Sequence, residues 1–448
     1  MCSGLLMGNL LRFSVPLMAS GVLQLLFNAA DIIVLGQFAS SSAMAAVGAT
    51  SSLNNLMVNL FLGLSVGGSV VMARFCGAKD WRHARETVHT AILLAVMSGV
   101  LLIFVGLPTI PTLLRWMGTP EDLLEQSVLY MRIVFLGMPA MMVYDFGAGI
   151  LRAVGDTRRP LLYLTVAGVT NACLNVFFVL AFHLDVAGVA LATSISQYLS
   201  AGLIVAALMQ PHTHYWLRPK HLRIHGPILL EIVQVGLPAG IQGAVFNISN
   251  VRIQSSINGF GTYAVAGSTA GANIEGFVYT AMNAVYQAAL SFTSQNLGAG
   301  KKARIPLILR DCLLLVTAVG AALGWLAVLF GRQLLSIYST DLQVIEYGLQ
   351  RIRAVCLTYL LCGLMDVTCG VVRGMGASVT PTIVSLTGAC GLRVVWIFTV
   401  FAAARSLFVL YLSYPVTWAI TWLAHLFCFA FFYRRLHLPQ ATAKTVTS

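Results

Sequence analysis

Asp31, Asp145, Arg252, Glu275, Asp366 and Arg393 are ionisable side chains set inside long apolar runs. Within hydrocarbon such a charge costs roughly 2.5–3.5 kcal/mol on insertion scales, so each needs a partner or a task. Asp31, in FNAADIIVLGQ, stands about six residues short of the end of its run, on the order of 9 Å along a helix axis. Two other runs carry groups that suit it. TVAGVTNACLNVFFVL places Asn171 and Asn175 at i and i+4, on one helical face, and GVALATSIS offers Thr193, Ser194 and Ser196. One carboxylate, two amides and a hydroxyl make an all-oxygen set for a hard monovalent cation, or a cage in which a proton moves on and off Asp31. The same groups could equally form a hydrogen-bond network that only ties helices together.

Glu275, in ANIEGFVYTAMN, suits a cationic substrate, a proton, or an ion pair with Arg252 or Arg393. Asp145 and Asp366 each stand seven residues before an arginine, Arg152 or Arg373, that closes a run, which suggests one need shared by two parts of the chain, in gating or in packing. Phe27, Met57, Phe61, Met138, Met141, Tyr144, Phe277, Tyr279, Met282 and Tyr286 are candidates to line an adaptable cavity, the plain alternative being packing or lipid contact. There is no G-x-x-x-x-G-K-[ST], no H-E-x-x-H and no Ser/His/Asp or Cys/His constellation, so the chain reads as neither an ATPase nor an enzyme, and no cofactor is implied. Transport work would then be driven by an ion gradient or by the substrate's own gradient.

The elements that must hold these residues are membrane-spanning helices. Of 448 residues 58 % are hydrophobic and 9 % charged, and the mean hydropathy is +0.84. Apolar runs long enough to cross ~30 Å of hydrocarbon recur along the whole chain. They cover 10–37, 44–73, 88–108, 127–151, 160–182, 187–209, 228–257, 264–296, 307–330, 348–372, 381–403 and 408–433, twelve in all. Strict alternation is lacking, so the fold class is an all-α polytopic membrane protein, not a barrel. The first run has no A-x-A-like cleavage site after a short apolar core and is read as a retained helix. Nine scattered Cys without C-x-x-C spacing read as reduced thiols.

The net charge of +12 is topological. Arg74, Lys79, Arg82, Arg152, Arg158, Arg159, Arg218, Lys220, Lys301, Lys302, Arg304, Arg434 and Arg435 fall at the tails and the loops after even-numbered spans. Only Arg115, Arg132, Arg332, Arg351, Arg353 and Arg405 fall at the opposite side. By the positive-inside rule both termini are cytoplasmic, in an inner (plasma) membrane; the partners are the lipid bilayer and small organic molecules, with no nucleic acid, and the protein reads as a monomer.

The chain also repeats itself at an offset of about 221 residues, a separation far longer than a solenoid period. FCGAKDWRHAR (75–85) matches NLGAGKKAR (296–304), and DFGAGILRAVGDTRRP (145–160) matches DVTCGVVRGMGASVTP (366–381), with Asp, Gly, Arg, Gly and Pro in register. Two six-helix units of the same orientation follow, a parallel repeat with a cavity between the halves. Residues 1–211 form the first lobe, 212–227 a cytoplasmic linker, 228–436 the second lobe and 437–448 a tail. His212, His214, His221 and His225 in the linker lack acidic or Cys neighbours in the sequence and are not read as a metal site. Glycines in the GA-x-K/R and R-x-x-G turns are expected to supply left-handed helix caps.

Taken in order, these segments resemble the multidrug and toxin extrusion (MATE) family in its bacterial branch: Pro16 and Pro238 in the first span of each half, the GA turns, SQNLGAGKKAR (294–304), ILRAVGDTRRP and INGFGTYAVAG (257–267). The resemblance implies export of amphipathic, often cationic drugs or toxins by alternating access, coupled to inward H⁺ or Na⁺. It implies that Asp31, Asn171, Asn175 and Thr193 are the cation site, with Na⁺ at Asp31 the one metal it allows, and that the first span bends at Pro16. Tyr144, Asp145, Glu275 and Asp366 are further candidates for substrate or proton binding. Family members that carry an acid in the seventh span have a second cation site there. Here GAVFNISNVRIQSS offers only Asn247 and Asn250, so coupling is expected to be asymmetric. The alternative function is a flippase of lipid-linked saccharide precursors, which would call for a wide cationic cavity.

Overall fold

Apolar runs in hydrocarbon must satisfy their amides internally, and among the described residues every regular element is helical. The computed structural model describes residues 1–38, 41–117, 119–211 and 213–437. His212 and the tail from 438 on lie outside them. The first half comprises α1 (Leu6–Phe38), α2 (Ser41–Ala78), α3 (Trp81–Trp116), α4 (Glu121–Leu136), α5 (Met138–Ala153), α6 (Arg158–Phe182) and α7 (Asp185–Leu208). The second comprises α8 (Gly226–Asn258), α9 (Thr262–Gly298), α10 (Ile305–Leu329), α11 (Gly331–Ser336), α12 (Leu342–Cys356), α13 (Leu360–Gly374), α14 (Val379–Ser385), α15 (Leu392–Phe398), α16 (Val400–Ala403) and α17 (Leu407–His437).

Among these residues nine helical stretches are long and apolar enough to cross a membrane, and two bent pairs bring the number to eleven. The twelfth span is α9. Its 37 residues suffice in length, but Ser268, Ser291, Thr293, Ser294 and Asn296 dilute its hydropathy, and all five are buried against protein. Phe104, Leu162, Trp325, Leu329 and Phe427, each more than half exposed, supply the apolar surface that lipid covers.

The fourth and tenth spans are not single rods. α4 and α5 meet at 48°, and α12 and α13 at 44°. At the first break Pro139 has no N–H to give, and Gly137 closes a tight turn onto Val134 instead. At the second, Thr358 and Tyr359 make i→i−3 bonds to Val355 and Cys356. α1, by contrast, runs unbroken through Pro16, whose carbonyl accepts from Ser20 Oγ at 2.9 Å.

Two large hydrophobic cores form, and they do not follow the linker. Leu10, Phe13 and Leu17 at the start of α1 belong to the core of the second half, where Phe13 meets Phe292 edge-on at 5.5 Å. Ile228 and Ile232 at the start of α8 belong to the core of the first half. Each half thus lends the beginning of its first helix to the other.

Between the halves α2 crosses α8 almost backbone to backbone. Gly63 and Gly67 face Gly236 and Gly240: a Cβ at Gly63 would stand 2.1 Å from the Gly240 amide nitrogen, and one at Gly67 2.2 Å from the Ile232 carbonyl oxygen. Two G-x-x-x-G stretches therefore interlock, the small-residue packing that lets helices approach in lipid. Farther along, Ser294 Oγ donates to the Val70 carbonyl at 2.7 Å, Gln295 Nε2 to the Ala153 carbonyl at 2.7 Å, and Arg74 Nη1 lies 3.4 Å from Glu231 Oε2. These contacts join the halves at the end where the basic loops gather.

The turns there correct one expectation. Gly155 (φ 98°) and Gly376 (φ 93°) are left-handed caps as expected, but in the GA turns the left-handed residues are Lys79 (φ 58°) and Gly300 (φ 71°). Gly77 and Gly298 serve close approach instead: a Cβ on either would come within 1.9 Å of a carbonyl oxygen of the other helix, Gln295 or Arg74. In the linker, Arg218 N–H donates to His89 Nε2 and His225 N–H to Thr90 Oγ1, both at 3.1 Å, which docks the segment on α3. His225 also has an acidic neighbour that the linker sequence alone hides, Glu86 at 3.9 Å.

Candidate functional site

The site is built where α1 meets α6 and α7. Gly168 on α6 is bare because Phe27 of α1 lies against it; a Cβ there would fall 1.9 Å from the Phe27 ring. That approach brings the next turn of α1, with Asp31, beside the amide face of α6. Asn175 Nδ2 donates to Asp31 Oδ1 and, at 3.1 Å, to Asn171 Oδ1. Asn171 in turn donates to Thr193 Oγ1 on α7 at 3.3 Å. With the Asn171 amide turned over it donates to Asp31 Oδ1 at 2.8 Å and accepts from the Thr193 amide at 3.2 Å. The four residues that the resemblance implies are thus brought together.

Every one of these partners is neutral. Among the described residues Asp31 makes no ion pair, and Asn175 Oδ1 is buried without a partner. The carboxylate lines a cavity of about 650 Å³ between the halves, together with Asn171, Thr193, Tyr144, Asp145 and Arg152 from the first half and Tyr279, Asn283, Tyr286, Gln287 and Arg373 from the second. A second cavity of about 510 Å³ lies in the second half, lined by Glu275, Tyr279, Arg351, Tyr359, Asp366, Arg393, Tyr414 and Trp418. Asn59, Gly243 and Tyr279 belong to both, so the expected central cavity is two chambers sharing one rim.

Glu275 finds neither of its expected partners. Arg351 Nε and Nη2 grip its two carboxylate oxygens at 2.7 and 2.8 Å, and Arg351 Nη1 donates to Ser268 Oγ at 2.8 Å. Arg252 instead lies over the Phe398 ring, and Arg393 over the Tyr414 ring. Hydropathy places Arg351 at a helix end because it stands three residues inside the tenth span. The bend after Cys356 turns α12 so that this residue enters the protein.

The sequence pattern likewise presents Arg373 only as the close of a helix. It is buried, and donates to Tyr286 Oη (2.7 Å), Gln242 Oε1 (2.8 Å), Thr382 Oγ1 (3.1 Å) and Ser378 Oγ (3.2 Å). Asp145 and Asp366 open onto different chambers; neither makes an ion pair among the described residues, and Asp145 Oδ2 has no partner. Tyr144 Oη donates to the Pro160 carbonyl at 3.0 Å. Of the aromatic and Met candidates, Phe27, Met141, Tyr144, Tyr279 and Tyr286 reach a chamber, whereas Met138 and Met282 are core.

A model of the MatE family matches the chain twice, over residues 16–177 and 238–399. Among known proteins, the probable multidrug resistance protein YoeA of Bacillus subtilis is 26 % identical over 430 residues, 91 % of this chain and 93 % of that one. The probable multidrug resistance protein NorM of Thermotoga maritima is 26 % identical over 386 residues, 84 % of this chain and 82 % of that one. A solved structure described as the outward-facing conformation of a multidrug resistance MATE family transporter of the MOP superfamily shares the fold, with a TM-score of 0.89 at 22 % identity, covering 96 % of this chain and 97 % of the other.

Proposed function

Since this chain belongs to the MatE family, we propose that it exports amphipathic, often cationic drugs or toxins across the inner membrane, exchanging them for inward-moving H⁺ or Na⁺ at Asp31. The observation that carries this reading is that Asp31 faces the larger cavity with only neutral partners. A buried carboxylate without a fixed countercharge is a place where a mobile cation completes the charge balance. Binding of that ion removes the cost of the buried charge and frees α1 to change shape. Pro16, which lacks a hydrogen bond to the preceding turn, is the weak point at which α1 bends. Bending narrows the cavity and expels its contents.

The amide arrangement favours a proton over sodium. Asn175 presents N–H to the carboxylate and keeps a spare oxygen. Turned over, it would accept from a protonated Asp31, so one amide serves both states. Sodium would need several oxygens turned inward at once. Both termini are cytoplasmic in this reading, and the protein works as a monomer of two lobes, 1–211 and 228–436. The flippase alternative asks for a cationic cavity, whereas the chambers here carry both signs: Asp31, Asp145, Glu275 and Asp366 with Arg152, Arg351, Arg373 and Arg393.

Purified protein in liposomes with an imposed ΔpH or ΔNa⁺ and a fluorescent organic cation inside tests the reading. The gradient should drive dye movement in the wild type, and Asp31→Asn should abolish it while leaving the protein inserted. Full gradient-driven transport by Asp31→Asn, or none in the wild type with either ion, would sink the proposal.

A further inference from the structure

The chamber of the second half contains a buried guanidinium with few partners. Arg393 is 2 % exposed and lines the 510 Å³ cavity. Its Nε is buried without a partner, Nη2 reaches Thr417 Oγ1 only at 3.5 Å, and the group lies 4.3 Å over the Tyr414 ring. Among the described residues it makes no ion pair. A cation–π contact and one long hydrogen bond leave a buried charge under-compensated. Two other buried arginines differ: Arg351 makes three short bonds to Glu275 and Ser268, and Arg373 four bonds to neutral acceptors.

The local fold presents this side chain to the chamber. Leu386–Gly391, which end two residues before it, form a π-helical turn, a wide turn frequent at functional sites. Gly388 inside that turn admits α17 at close range, since a Cβ there would stand 2.3 Å from Thr421 Oγ1. α17 in turn brings Tyr414, Thr417 and Trp418 to Arg393, and Trp418 packs 5.3 Å from the Tyr359 ring and 5.4 Å from that of Tyr414. An unpaired guanidinium at the edge of a cluster of flat aromatic surfaces fits a planar ring system that carries a carboxylate.

We propose that Arg393 is the anion-recognising residue of the second-half chamber and binds the carboxylate of zwitterionic aromatic compounds, which Tyr359, Tyr414 and Trp418 hold by their rings. Asp366, on the same chamber and without an ion pair among the described residues, takes the cationic end. This rests on the transport reading for its biological setting, but the binding itself needs no gradient, so failure of cation coupling and failure of this site show up in separate assays.

The test is fluorescence anisotropy of two dyes with the purified full chain in detergent: rhodamine 110, which carries a free carboxylate, and rhodamine 123, its methyl ester. Rhodamine 110 should bind about tenfold more tightly or better, by loss of one charge-assisted pair in the ester. Arg393→Met should erase the difference by weakening rhodamine 110 alone, and Arg393→Lys, which keeps the charge, should retain most of it. In the wild type, benzoate should displace rhodamine 110 at concentrations where neutral benzamide does not, a readout that needs no variant to fold. Equal affinity for the dyes, absent binding of rhodamine 110, an undiminished preference in Arg393→Met, or equal competition by benzoate and benzamide would each overturn the assignment.

Discussion

The two chambers hold their buried carboxylates in different ways. In the first half Asp31 stands among amides and a hydroxyl and makes no ion pair among the described residues. In the second half Glu275 is held by two bonds from Arg351, while Asp366 and Arg393 line the same chamber, neither in an ion pair among the described residues. The sequence repeat does not extend to these charges: the aligned place for Asp31 falls in NISNVRIQSS. A shared scaffold thus holds one buried carboxylate by neutral groups and the other by a guanidinium.

The contrast can be broken most strongly at Glu275. Glu275→Gln strands Arg351 in the interior, and removal of one partner of a buried pair costs about 3–5 kcal/mol. The thermal midpoint of the monodisperse protein in detergent should fall steeply. The double variant Glu275→Gln, Arg351→Met should recover most of it, and Asp31→Asn, whose partners are neutral, should barely move it. A Glu275→Gln protein as stable as the wild type would mean that the pair is not structural and that the second chamber, like the first, holds a carboxylate free to take a mobile cation.

A smaller effect is expected at the wall between the chambers. Gly63→Ala puts a methyl where the Gly240 backbone lies, and overpacking of this kind costs about 1–3 kcal/mol. The midpoint should drop, and a cysteine pair placed across the crossing should cross-link more slowly; an unchanged midpoint would show that α2 and α8 separate easily. The smallest effect belongs to Arg74→Gln. Its pair with Glu231 is 3.4 Å long and partly exposed, so the loss should stay below about 1 kcal/mol and vanish at high salt. A larger, salt-insensitive loss would make this pair a true latch between the halves.

Part of the site is legible before any folding. The i, i+4 spacing of Asn171 and Asn175 puts both on one face of α6, and the cost of Asp31 in an apolar run demands a partner. Spacing along one helix fixes which residues share a face, but not which neighbour that face meets. For that reason hydropathy points Glu275 to the wrong arginines: Arg351 lies 76 residues away, buried on the first arm of the bent tenth span. The G-x-x-x-G stretches at 63–67 and 236–240 stand in the sequence as a packing signal, but many spans are rich in glycine, and nothing local pairs one with another.

What the chain determined by itself was local or self-similar: spans, because transfer into hydrocarbon is summed over neighbouring residues; the repeat, because it is a comparison of the sequence with itself; and the absence of nucleotide or metalloprotease motifs. Only the tertiary structure decided the rest. It exchanged the beginnings of α1 and α8 between the two cores, buried α9 despite its polarity, opened two chambers on one rim, and left Asp31 and Arg393 without ion pairs among the described residues. These outcomes depend on the rotation of each helix about its axis and on contacts between residues far apart in the chain, and such contacts are settled by packing, not by hydropathy.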